Sequence, residues 1–160
     1  MPNKTTLAIA GFLIVIAVLF LIISSTGSIA RYFLTVEELH AMGEAARGRN
    51  LTVSGAILGE SIDYDALAPQ VTFTIVQVPG DPQAVERAGG LEYVLRAAVQ
   101  DPLAPRLTIV YAGVKPDMLQ HEAQAIARGT LGEDGRFYAD EVLLKCPSRY
   151  EEALPAQVGD

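Results

Sequence analysis

Ala123-Gln-Ala-Ile-Ala-Arg-Gly-Thr-Leu131, Gly132-Glu-Asp-Gly135 and, after Arg136, Phe137-Tyr-Ala-Asp-Glu-Val-Leu-Leu144 form two apolar-rich runs around a short Gly- and Asp-containing break. Two such runs separated by a few turn residues predict a β-hairpin. Directly beyond the second run come Lys145, Cys146 and Pro147. Proline lacks a backbone donor and has a fixed φ, so the strand ladder is expected to stop at Cys146, with the thiol at the rim of a domain. Tyr150 follows four residues after Cys146. That spacing puts two side chains on the same side of the backbone whether the local period is 3.6 or 2, so Cys146 and Tyr150 are placed to grip one object.

Outward from the hairpin the same reading finds more strands. Leu51, Val53 and Ile57 alternate with Thr52, Ser54 and Ala56, and Val71-Thr-Phe-Thr-Ile-Val76 alternates after Pro69. Both are period-2 patterns of half-buried strands. Gly55 reads as a bulge and the segment holding Asp63 and Asp65 as a loop. Residues 78–106 differ, with Pro79, Gly80, Pro82, Gly89, Gly90, Pro102 and Pro105 around a helically spaced Leu91–Val99. They read as a surface excursion carrying a short helix, where insertions cost little. The strand pattern resumes at Leu107–Tyr111, and Pro116–Leu119 reads as a turn entering a short connection. Upstream, Thr35 with Glu38 three residues on has the form of a capping box, predicting a short helix through Leu39 and Met42. Five strands with little helix predict a mainly β domain over 32–146, a small closed or partly open barrel.

The amino-terminal part is of another kind. Every residue from Leu7 to Ile23 except Gly11 is apolar, and no charge appears between Lys4 and Arg31. At ~1.5 Å per residue, roughly 18–20 such residues cross a ~30 Å hydrocarbon core, so residues 7–26 read as a membrane-spanning helix or a signal peptide. Ser28-Ile29-Ala30 has a cleavage-site form, but the run exceeds the ~7–15 residues of a signal h-region, which favours an uncleaved anchor. Lys4 before the span mildly favours a cytoplasmic segment 1–6, placing the domain outside the cytoplasm. Tyr32-Phe33-Leu34 would then lie at the membrane interface. After Pro147 the segment 147–160 contains Pro155 and several acidic or small residues and reads as a mobile tail. The formal net charge of −7, with no basic run, argues against nucleic acid as a partner. The single cysteine excludes an intramolecular disulfide framework, a Cys-x-x-Cys redox pair and a multi-thiolate zinc site.

Each candidate residue has a plainer reading. A lone cysteine is most often a small buried hydrophobe, but Pro147 after Cys146 and Tyr150 four residues on favour a functional role. Lys145 and Arg149 beside the thiol would favour its thiolate and offer partners to carboxylates. Tyr150 by itself would be a packing residue. His40 and His121 share no metal-type spacing and read as solvated, with His121 held in reserve as a ligand because imidazole is a usual metal partner. Asp63 and Asp65 resemble paired catalytic carboxylates only in spacing, and loop solvation is the simpler reading. Tyr111, Phe137 and Tyr138 are candidates for an aromatic platform, although alternation sends Phe137 and Tyr138 to opposite faces of their strand.

A resemblance gathers these features. The order and spacing of Tyr32–Leu39, Val71-Thr-Phe-Thr-Ile75, Val110-Tyr-Ala-Gly-Val-Lys-Pro-Asp-Met118, Gly129-Thr-Leu131 and Ala139-Asp-Glu-Val-Leu-Leu-Lys145 resemble the CcmE family, haem chaperones of cytochrome c maturation. The resemblance covers most of the chain outside 78–106, which has no counterpart in the histidine-type pattern. It implies an OB-type five-stranded barrel behind a single membrane anchor, on the periplasmic side of a bacterial cell membrane. It also implies a non-enzymatic carrier that binds haem transiently and passes it to a membrane haem-lyase complex, receiving it from an integral membrane haem-delivery protein. Apocytochrome c would be the final recipient. In the histidine-type branch the residue after the last strand attaches to haem and a tyrosine four residues later ligates iron. Here Cys146 stands at the first position and Tyr150 matches the second, as in a cysteine-type branch, implying a thioether to a haem vinyl carbon. Lys145 and Arg149 would meet haem propionates, and Tyr111, Phe137 or Tyr138 the porphyrin face. From another functional class, the alternative is an anchored OB-fold module for protein or oligosaccharide with a structural Cys146. A thiol enzyme lacks a recognisable general base.

Overall fold

The computed structural model describes Leu13, Ile14, Ile16 and residues 33–146. Those three isolated residues are helical, and the rest of the expected anchor, with the 147–160 tail, lies outside the described residues. Among the described residues no helix is long and apolar enough to cross a membrane.

The domain is a β-barrel. Strands β1 (Leu34–Thr35), β2 (Asn50–Asp65), β3 (Gln70–Val76), β4 (Arg106–Ala112), β5 (Gln124–Leu131) and β6 (Phe137–Lys145) lie in the order β1-β2-β3-β4-β6-β5, and β2 also pairs with β5. That last pairing closes the five long strands into a ring, the Greek-key arrangement of an OB-type barrel. One face of each strand supplies the core, including Val53, Ile57, Val71, Phe73, Ile109, Ala125, Ala127 and Phe137. Helix α1 (Val36–Met42) adds Val36 and Leu39 to it. Its start is the expected capping box: Glu38 N–H donates to Thr35 Oγ1 at 3.2 Å while the Glu38 carboxylate accepts from Thr35 N–H at 2.9 Å.

The predicted hairpin forms with nearly the expected limits. Gly132 N–H donates to the Arg136 carbonyl at 2.8 Å, and Gly135 turns the chain with φ 76°. The β5–β6 register shifts between Arg128 and Gly129. A Cβ on Gly129 would fall 1.9 Å from the Tyr138 carbonyl oxygen, so only glycine fits this bulge.

Two expectations about β2 are corrected. The strand does not end near Ile57 but runs for 16 residues, so Asp63 and Asp65 are strand residues and not loop residues. Its irregularity lies between Leu58 and Asp63, while the ladder is regular at Gly55. Ser61 supports the irregular stretch by donating to the Leu58 carbonyl at 2.6 Å and accepting from Thr74 N–H at 2.8 Å. Gly55 serves close approach instead, since a Cβ there would sit 2.7 Å from the Val76 carbonyl oxygen.

The excursion is also more than a surface loop with one helix. It forms α2 (Pro82–Arg87), capped by Asp81, and α3 (Leu91–Gln100), separated by Gly89 and Gly90 at φ 106° and 94°. Val94, Leu95 and Val99 of α3 bury themselves against Ala56 and Leu58 of β2, Val76 of β3 and Val78. Burying each such side chain contributes about 1.5–3 kcal/mol, enough to hold α3 on the barrel as a second small core. This is why β2 is buried on both faces between Val53 and Leu58.

Candidate functional site

The last turn of β6 builds the site. Alternation sends Val142 and Leu144 toward the barrel interior, where they pack on the core, and leaves Leu143 and Lys145 exposed. Cys146 follows in the inward phase and is 7% exposed. The ladder ends at Lys145, one residue short of the stop expected at Cys146. The Gln120 side-chain amide donates to Cys146 Sγ at 2.9 Å, from a segment 26 residues earlier in the chain. The thiol is thus held against the barrel at the end of its strand.

The outer face beside it forms an apolar groove of about 340 Å³ lined by Phe33, Thr52, Ile126, Arg128, Glu141, Leu143 and Lys145. Its floor is three strands in register: Arg128 of β5 faces Thr52 of β2 and Glu141 of β6, and Ile126 faces Ser54 and Leu143. Leu143 is 55% exposed, a large apolar side chain open to whatever enters. Phe33, Ile126 and Leu143 offer a hydrocarbon surface, with Arg128, Lys145 and the Glu141 carboxylate opposite Arg128 as its charged groups. Such a surface suits a flat apolar molecule bearing carboxylates, because contact area supplies affinity and the cations orient the acidic groups.

The expected site residues divide between this end of β6 and the other. Lys145 lines the groove, and Cys146 is the next residue along the chain, its side chain turned inward; Arg149 and Tyr150 lie outside the described residues. Phe137 is corrected: at 0% exposure it is part of the core, and its ring has no face to give a ligand. Tyr138 is exposed, but its hydroxyl donates to Asp134 at 2.8 Å and its ring covers Gly132. The Asp134 carboxyl is held below the usual aspartate range, first by this hydroxyl and then by the Arg136 N–H, and the Tyr138 phenol is correspondingly raised. Tyr111 pairs with Ala139 and packs partly on the core, its ring over Gly113. These three aromatics lie at the start of β6, roughly 25 Å along the strand from Cys146 at ~3.3 Å per residue. The structure does not bring them to the thiol.

Two other candidates have structural work. His121 Nδ1 accepts from Gly59 N–H at 3.0 Å, which puts the neutral ring's proton on Nε2 and leaves no lone pair there for a metal. Asp65 accepts from Leu67 N–H and Ala68 N–H at 2.8 and 3.3 Å, capping the β2–β3 turn. Among the described residues no group of three or more His, Cys, Asp or Glu could hold a metal ion.

Phe33, Ile126, Arg128 and Gln120 were not anticipated as site residues. Phe33, expected at a membrane interface, lines the groove. Alternation from Lys145 back to Leu143 carried a signal for the β6 side. Nothing local marks Gln120, whose role exists only through the fold.

Comparison with known proteins finds a matching family model and several relatives. The family model of the CcmE domain matches residues 30–153. The cytochrome c-type biogenesis protein CcmE of Azoarcus sp. (strain BH72) is 28% identical over 149 residues, 92% of this chain and 83% of that protein. The protein of the same name from Sphingopyxis alaskensis is 30% identical over 131 residues, 82% of this chain and 70% of its own length. That of Alkalilimnicola ehrlichii is 25% identical over 126 residues, and the match spans 61% of its length. Among solved structures, the OB-fold domain of haem chaperone CcmE from Desulfovibrio vulgaris aligns with a TM-score of 0.43 at 17% identity, covering 62% of this chain and 90% of that one. With the domain model matching well over half of its length, the chain belongs to the CcmE family of cytochrome c-type biogenesis proteins.

Proposed function

We propose that this protein is a membrane-anchored haem carrier that attaches haem through Cys146, ligates its iron with Tyr150 and releases it to apocytochrome c. The observation that carries the proposal is the apolar groove edged by Arg128, Glu141 and Lys145 at the end of β6, next to the residue that bears the thiol. In the attachment step the Cys146 S–H bond and a haem vinyl π bond break. A sulfur–carbon bond forms to the inner vinyl carbon, and the proton goes to the terminal carbon. No oxidant or reductant enters the balance, and the reverse elimination restores thiol and vinyl for handover. Leaving Gln120 is part of the step, because the sulfur that accepts its N–H must turn toward the groove.

Phenolate oxygen is an established haem-iron ligand, and a four-residue spacing lets Tyr150 follow Cys146 onto the same ligand. Lys145 and Arg149 supply cations for the propionates. Residues 7–26 would span a bacterial cell membrane once, with the barrel on the periplasmic side. There the carrier would receive haem from an integral membrane haem-delivery protein and pass it to a haem-lyase complex.

The test is expression of the full chain in a host that makes cytochrome c, followed by haem staining after denaturing electrophoresis. A stained band in wild type that vanishes in Cys146→Ala is the expected result; an unstained wild type alongside functional host machinery contradicts the carrier. Tyr150→Phe is expected to keep the band and change the visible absorption spectrum. An unchanged spectrum removes Tyr150 as the iron ligand.

A further inference from the structure

The excursion borders a second groove, of about 330 Å³, walled by Val78, Pro79, Pro82, Val85 and Leu91. Phe33 lines this groove as well as the first one, so the two meet at a single ring. Their floors are one surface. Along β5 the outward positions Arg128 and Ile126 lie in the first groove, and Gln124, next in the same phase, lies in the second. Lys145, the Cα partner of Gln124, marks the row at which one groove passes into the other.

The two halves differ in charge and in position relative to the thiol. Arg128, Glu141 and Lys145 line the first, whereas exposed Glu86 is the ionised side chain among those lining the second. Cys146 is the next residue after Lys145, one step past the Gln124 row along β6, with its side chain turned inward. Ligand sites commonly occupy ~300–1,000 Å³, and each groove alone sits at the bottom of that range. The wall is held in place because Val94, Leu95 and Val99 anchor α3 on the barrel, and Arg96 of α3 pairs with Glu122 at 3.5 Å, two residues from Gln120.

We propose that the excursion is the second wall of the cargo site, and that a metalloporphyrin lies across Phe33 with both grooves occupied. Its carboxylate edge is at Arg128 and its hydrocarbon edge is against Val85 and Leu91, with Lys145 at the row between them. This orientation brings the vinyl-bearing edge, and not the acidic edge, to the end of β6 that delivers Cys146. The proposal rests on haem as the cargo of the first groove.

The test uses the full chain in detergent with Cys146→Ala, so that binding is reversible, and titrates methyl-labelled protein with diamagnetic zinc protoporphyrin IX. The Val85 and Leu91 methyl signals are expected to shift together with those of Ile126 and Leu143 along one binding curve. Shifts at Ile126 and Leu143 with none at Val85 or Leu91 overturn the second wall and leave the cargo reading standing. No shift in either set overturns both. In the same background Val85→Asn, with the buried Leu95 methyl signals unmoved as evidence of an intact fold, is expected to weaken porphyrin binding about fivefold, ~1 kcal/mol. Unchanged affinity there also overturns the second wall.

Discussion

Strand β6 has two ends made from the same alternating pattern, yet they are put to different use. At its start Phe137 faces inward and is fully buried, while outward Tyr138 is tied to Asp134 and laid over Gly132. At its end Leu144 faces inward, while outward Leu143 and Lys145 open onto a groove. The first end satisfies its outer side chains within its own hairpin. The second leaves Leu143 exposed in a groove that also carries Arg128, Glu141 and Lys145, a mixture of apolar surface and charge of the kind that ligand sites use. Alternation therefore says which side chains face out, and the neighbouring strands decide whether those side chains have work left to do.

The contrast breaks most readily at the buried end. Phe137→Ala should destabilise the domain by about 3–5 kcal/mol, the usual cost of removing a buried aromatic, measured by urea or thermal unfolding. A loss below ~1 kcal/mol would show that this end is not the packed anchor described, and would reopen Phe137 as a ligand contact. Leu143→Asp at the open end should do the converse. Stability should change by no more than about 0.5 kcal/mol, as for an exposed position, while haem-stained protein falls several-fold. Normal loading with a charged side chain in the groove would remove that groove from the site.

The smallest expected effect concerns Asp134 and Tyr138. The Asp134 carboxyl is lowered in the folded protein, so its contribution to stability is fully present above the unfolded-state value of ~3.9 and is lost as pH falls through the folded value. Tyr138→Phe removes the largest cause of that lowering. The difference in unfolding midpoint between pH 7 and pH 3 should shrink slightly, because both groups are exposed and solvent screens them. Loss of haem loading in this variant would show that the two ends of β6 are coupled, contrary to their separation.

The legible parts of the molecule were those governed by short-range rules. The hairpin followed from two alternating runs around Gly132–Gly135, α1 from Thr35 and Glu38, and the end of β6, to within one residue, from Pro147. Asp63 and Asp65 were misplaced because polar residues weaken a strand signal even where the backbone stays paired. The excursion's burial was missed because the outward face of β2, with Ser54 and Ala56, looks like an ordinary polar-or-small exposed face until α3 covers it.

Taken alone, the sequence determined the strand periodicity, the barrel class, the family likeness and the position of Cys146 at a strand end, since each depends on neighbours a few residues apart. The tertiary structure decided what meets at that end. Register between β2, β5 and β6 lines up Thr52, Ile126, Arg128 and Leu143 on one surface; β1 sets Phe33 over it; and Gln120 reaches the sulfur from 26 residues away. It also sent Phe137 into the core and Tyr138 to Asp134, because at that end the hairpin closes on itself. Contacts between residues distant in the chain come from strand pairing and barrel closure, and no local pattern encodes them.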